Sequence, residues 1–244
     1  MEILEHYDLY DKFIINSYEL QGLDDLYSAN QKQKFLPDFI EISRKKVPRK
    51  DFQDFEFFHE LYFISKDLRY CIANLYFFRP YINNPIRENG TYFKNPYDTR
   101  YLMYANLCYQ LTYNFYDKIG DLLDVFFDTG LSGNVYFSRV INNFPKEYRT
   151  SEEYEWFVKI NDTEINQLKS LRDEIVHEKN LETRFFHNVR NARSDTTQMI
   201  EIQKEKDAFP EKFKGILANC IVAFKTAVGL IQMLPDKRVN INIK

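Results

Sequence analysis

The sequence predicts an all-α protein: an antiparallel four-helix bundle with an accessory N-terminal helix and a short C-terminal strand. Three observations carry this. Apolar residues recur at helical spacing over long stretches, only seven Gly and eight Pro interrupt 244 residues, and the connections between stretches differ greatly in length. A chain of this length can bury one substantial core.

Residues 2 to 22 place Leu4, Tyr7, Leu9, Tyr10, Phe13, Ile14 and Tyr18 at helical spacing and end at Gly22, which suits a helix stop. This is the accessory helix. The charge run Ser43-Arg44-Lys45-Lys46-Val47-Pro48-Arg49-Lys50 reads as a solvated connection. Core helix one runs from Asp51 to about Arg79 on Phe55, Phe58, Leu61, Tyr62, Ser65, Leu68, Ile72, Leu75 and Tyr76, closed by Pro80. Residues 80 to 96, with three prolines and Asn89-Gly90, read as a long connection with a turn or small hairpin. Core helix two spans 98 to 128 and stops at the Gly130 and Gly133 loop.

A shorter helical piece follows from Val135 to Asn143, then Pro145. Ser151 caps core helix three, which runs to about His177. Residues 179 to 207 lose apolar periodicity and read as an exposed loop carrying Arg184, His187, Arg190 and Arg193. Core helix four runs from Ala208 to Leu234 with Pro210 in its first turn. Val239 to Lys244 alternates with period two and reads as a short strand that pairs with the 89 to 95 region.

Composition limits the function classes. A net charge of −3 excludes the strong global positive field of a protein that grips nucleic acid over its whole surface, and leaves room for a local basic site. Cys71, Cys108 and Cys220 lie far apart in apolar stretches without metal-ligand spacing, which implies buried free thiols in a reducing cytosol. The first twenty residues carry too many charges for a signal peptide. Ile216 to Leu234 is long enough to span a bilayer, but Lys225 at its middle and Asn219 and Gln232 beside it favour a buried bundle helix. The expected location is therefore cytoplasmic, with no membrane.

Two patterns carry chemistry. Glu56-Phe57-Phe58-His59 and Glu174-Ile175-Val176-His177 both fit Glu-x-x-His, by which ferritin-like bundles hold two metal ions. In an up-and-down bundle, however, these pairs sit at opposite ends, roughly 30 Å apart. Helix two offers only Asp117, Asp121 and Asp124, and helix four only Glu211. A di-metal carboxylate bundle is thus the lesser alternative, no metal ligand is assigned, and His59 reads as a surface or half-buried residue.

The second pattern is Arg172, Asp173 and His177 near the end of core helix three: Arg-x4-His with a polar residue directly after the arginine. It resembles the motif of the HEPN superfamily (higher eukaryotes and prokaryotes nucleotide-binding), and among its branches the chain is most similar to the clostridial Cthe-type HEPN proteins. The resemblance covers roughly residues 51 to 234 and divides the chain into an N-terminal helical extension, 1–45, and a HEPN-like four-helix domain, 46–244.

Helical geometry adds to it. Leu168, Leu171 and Ile175 form the core stripe, Arg172 lies at its edge, and His177 lies nearly opposite. Arg172 and His177 are about 140° apart around an ideal helix and cannot converge on one substrate atom within one straight helix. The resemblance implies a solution, since HEPN nucleases are generally two-fold dimers whose motifs meet in one cleft. Asp173, four residues before His177, can orient its imidazole.

What the resemblance implies is a metal-independent RNA endonuclease that needs no cofactor, in a toxin or phage-defence role with a neutralising partner protein. The ribose 2′-hydroxyl attacks the adjacent phosphorus, His177 moves the proton, and Arg172 holds the phosphate. Lys179, Arg184, His187, Arg190 and Arg193 would bind substrate, with Phe185 and Phe186 placed to stack on bases. The rival from another class is a non-catalytic HEPN module that binds RNA, nucleotide or a protein partner.

Overall fold

A computed structural model describes residues 2–84, 95–177, 179–192 and 195–237, with side chains except at residues 2–7, 176 and 177. Among these residues every regular element is helical, and none is a strand. The strand expected over Val239 to Lys244 lies outside the described residues, as does nearly all of its expected partner at 89 to 95.

The N-terminal part is more than one accessory helix. Helix α1 (Glu2–Leu20) ends at Gly22, where φ is +58°, and is followed by α2 (Leu26–Gln33) and α3 (Phe35–Lys45). Asp25 starts α2 with a reciprocal cap: its carboxylate accepts from the Ser28 N–H at 2.7 Å, and its own N–H donates to Ser28 Oγ at 2.9 Å. The same carboxylate pairs with Arg69 at 3.0 Å, and that guanidinium lies 3.9 Å above the Tyr18 ring. Ile14, Leu26, Phe35 and Phe39 join the main core.

The charge run at 43 to 50 is largely exposed, as expected of a connection, but it is tied down at particular residues, with Ser43 and Lys46 buried. Ser43, Arg44 and Lys45 close α3, and Lys46, only 6% exposed, donates to the Leu234 carbonyl and to Asp236. Arg49 pairs with Asp128 at 3.0 Å and Lys50 with Asp124. The cause is the apolar face of α3: burying Phe35, Phe39 and Ile42 draws the following cations onto the helix ends beneath them.

Three long helices make the centre: α4 (Asp54–Phe78), α5 (Pro96–Phe126) and α11 (Phe209–Gln232), each packed on the other two. The heptad-like apolar positions of α4 point inward as expected, with Phe58, Leu61, Ser65, Leu68, Ile72 and Leu75 buried. Phe55 is the exception and is exposed. Phe52 and Phe57 take its place, closing that end of the core against each other and, through Phe52, against Phe39 and Phe126. Helix α5 starts at an Asn95 cap with Pro96 at its first position. Helix α11 has the length and composition of a membrane span, yet Cys220, Ala223, Phe224 and Ala227 are fully enclosed by the other helices. All three cysteines are free and buried.

Beyond the loop at Gly130 and Gly133, both at positive φ, α6 (Phe137–Asn142) packs on α5. Ser151 then caps a helical rod in three parts: α7 (Glu152–Ile160), a π-helical turn (Asn161–Ile165) and α8 (Asn166–His177). Helix α7 lies on α11, and α8 lies on α5.

The exposed loop expected at 179 to 207 is instead two helices, α9 (Leu181–Asn191) and α10 (Thr196–Asp207). Helix α9 buries Leu181, Phe185 and Val189, four residues apart, and Asn180 caps it by accepting from the Thr183 N–H at 2.9 Å. Asp195 caps α10. The buried positions of α10 are Met199, Gln203 and Lys206, so two of three are polar and no apolar period shows. Lys206 is paired in the interior with Asp98 of α5.

Candidate functional site

The site is built from α8 lying along α5. On α5, Tyr109, Tyr113 and Asp117 follow at four-residue intervals and share one face. Arg172 of α8 sits over the second of them, its guanidinium carbon 5.1 Å from the centre of the Tyr113 ring. Lys212 of α11 sits over the first, with its ammonium 4.9 Å from the Tyr109 ring centre and donating to the Tyr109 hydroxyl at 2.9 Å. Two cations from different helices are thus seated on tyrosines one turn apart, about 6 Å along the axis.

Both tyrosines are buried and stay neutral. Burial pushes the Tyr113 hydroxyl up to about 12, reinforced by Asp117 and opposed by Arg172, and burial raises Tyr109 as well. They serve as neutral faces that seat the cations, not as bases at neutral pH. Arg172 is one-third exposed, so its remaining donors are open to an incoming anion. The Lys212 stem is exposed while its ammonium turns inward, and burial lowers its pKa.

Asp117 closes the row. Its carboxylate accepts from the Phe137 N–H at 3.2 Å. Burial, helped by Asp121, raises its pKa to about 6 against the opposing pull of the Phe137 N–H, Arg172 and Lys169. An acid that titrates near neutrality therefore stands beside Arg172.

The motif residues divide as follows. Leu168 is buried, Leu171 and Ile175 are half-buried against the core, and Arg172 lies at the edge of that stripe, as the helical spacing requires. Asp173 pairs with Arg172 at 3.1 Å through Nη1. The His177 side chain lies outside the described residues, and its backbone ends α8. The helix is regular from Asn166 to His177, so the positions of Arg172 and His177 do stand about 140° apart around its axis.

Of the basic residues after the motif, Lys179, His187 and Arg190 are exposed, and the exposed Phe186 ring lies 5.7 Å from that of His187. Arg184 is held by Glu205 at 3.0 Å. Phe185, expected as a stacking ring, is instead buried against Phe209. Arg193 lies outside the described residues. Residues 106 and 181 are linked by a 3.4 Å hydrogen bond from the Leu181 N–H to Asn106, which carries the chain past α8 along the same side of α5. His59 is exposed on α4 between Phe55 and Phe63, and no three His, Cys, Asp or Glu side chains converge among the described residues.

Sequence reading missed Lys212, Tyr109, Tyr113 and Asp117. Tyr109-x3-Tyr113-x3-Asp117 is visible as a helical stripe, but nothing in it says that α8 and α11 each set a cation there. No curated protein and no solved structure matched the chain. Residues 64–228 match the family model described as Cthe2314-like HEPN, a segment that starts inside α4, ends inside α11 and contains the whole Tyr113, Arg172 and His177 region. The chain belongs to the HEPN family.

Proposed function

We propose that this protein is a metal-independent RNA endonuclease that works as a homodimer in the cytoplasm, in a toxin or phage-defence role with a neutralising partner protein. HEPN domains are often ribonucleases, and the observation that carries the reading is Arg172, part-exposed on Tyr113 near the end of α8 and five residues before His177. Arg172 binds the scissile phosphate and the charge that builds on its oxygens. His177 takes the proton from the ribose 2′-hydroxyl, and the second subunit's copy of the same histidine protonates the leaving 5′-oxygen. The 140° separation makes the second subunit a condition of activity. Asp173 holds the Arg172 fork in place when no phosphate is bound, and Lys179, His187 and Arg190 lead RNA towards it.

The test is cleavage of RNA by the full chain in EDTA. The expected products end in a 2′,3′-cyclic phosphate and a 5′-hydroxyl, and both Arg172→Ala and His177→Ala lower the rate by about 100-fold or more. The Arg172–Asp173 pair favours one rival, a binding module whose arginine is already neutralised. RNA bound without turnover, with affinity unchanged in His177→Ala, would select that rival.

A further inference from the structure

We propose that the groove between the π-turn, α8 and α11 is a binding site for a guanine base, held either as a free nucleotide or as part of RNA. The groove is open on one side and offers about 310 Å³, enough for a single base. Thr163, Glu164, Gln167, Leu168 and Leu171 form one wall; Lys212, Gly215, Ile216 and Asn219 form the other. Half-exposed Leu171 supplies apolar surface for one face of a ring, with the edges of the buried Leu168 and Ile216 behind it.

The two ends differ in charge. At one end Glu164 accepts from the Asn219 amide at 2.8 Å, while its other carboxylate oxygen has no hydrogen-bond partner and is shielded from solvent. Burial raises the pKa of this carboxyl, opposed by Asn219 and Lys212. At the other end stands Lys212, and Leu171 there directly precedes Arg172. A simple amine would meet Lys212 and a simple acid would meet Glu164. The ligand that fits has donors at one end and an anion at the other.

Among bases, guanine alone presents two adjacent donors, an imino N–H and an amino group, to a carboxylate. Adenine and cytosine present one amino group beside an acceptor, and uracil one imino group between two carbonyls, which a carboxylate repels. The Asn219 amide lies beside Glu164 for the neighbouring carbonyl. With the base at Glu164, its phosphate points to Lys212 and onward to Arg172, the two cations seated one turn apart on α5.

The fold prepares the space at Gly215, where an added Cβ would meet nothing within 4 Å. A side chain placed there enters the groove without moving the backbone. The π-turn turns Thr163 and Glu164 out of the straight helical path, a feature frequent at functional sites.

Calorimetric titration of the full chain with GMP, AMP, CMP and UMP, and with tetranucleotides with and without guanine, reads the site directly. The expectation is at least 10-fold preference for the guanine ligand. Glu164→Gln reduces that preference below 3-fold, and Gly215→Leu weakens binding at least 10-fold with the melting temperature kept. A guanine tetranucleotide binding at least 10-fold more tightly than GMP identifies RNA as the source; equal binding identifies the free nucleotide. No nucleotide binding, equal binding of all four, or indifference to both substitutions overturns the proposal. The RNA role rests on the nuclease reading, and the two fail separately: His177→Ala lowers cleavage by about 100-fold or more while GMP binding stays within about 3-fold.

Discussion

Asp117 shows how one residue ties stability to pH beside the arginine. Its folded pKa, about 6, lies above the ordinary 3.8, so the folded state binds the proton more tightly than the unfolded state. The contribution is fully present below 3.8 and is lost as pH rises through about 6. Above that pH the buried carboxylate costs stability, and Asp117→Asn is expected to stabilise by about 1 kcal/mol at pH 7.5 after allowance for partial exposure. Asparagine still accepts from the Phe137 N–H. Thermal melts at pH 7.5 and pH 4 check this: the gap closes at the lower pH, and an equal gap at both would show that charge is not the cause. Arg172, Asp173 and His177 were legible because a motif is local. Asp117 and Lys212 were not, because their environments come from α6, α8 and α11 folding onto α5.

At the scale of elements, two contacts fix how helices meet. A Cβ on Gly120 would come within 2.9 Å of the Phe137 Cα, so only glycine lets α6 sit this close to α5. Gly120→Ala is expected to cost about 1–3 kcal/mol and lower Tm by several degrees, read in a thermal melt. The Lys206–Asp98 pair joins α10 to α5 with both side chains at 3% exposure or less. Replacing Asp98 with Ala leaves an ammonium in the interior, an expected loss of about 3–5 kcal/mol in denaturant unfolding. The long helices α4, α5 and α11 were legible within a few residues because their apolar period is sustained. Helix α10 hid because Gln203 and Lys206 fill its inner face. Helix α9 carried its signal in Leu181, Phe185 and Val189, masked by the charges between them.

Across the whole molecule, residues 1–45 stand outside the family match yet supply core. Phe39 meets the Phe224 ring, Tyr10 donates to Asn74 inside α4, and Asp25 holds Arg69. A chain starting at residue 46 would uncover Phe58 and Phe224 and leave Arg69 without its ion-pair partner. It is expected to lose near-ultraviolet circular dichroism and solubility, and a cooperative melt like that of the full chain would show the extension to be dispensable. This packing was hidden in sequence because α2 is polar over most of its eight residues and buries only Leu26 and Ala29.

The π-turn at Asn161–Ile165 also bears on how the rod tolerates a change in chain length. A π-turn holds one residue more than the α-turn it replaces, so removing a single residue there closes it into an ordinary α-turn and leaves the residues after it on nearly the faces they had. A residue removed between Asn166 and Leu171, in the regular part of α8, meets no such slack and swings everything after it by about 100°. Arg172 would then leave Tyr113 with every residue of the motif still present.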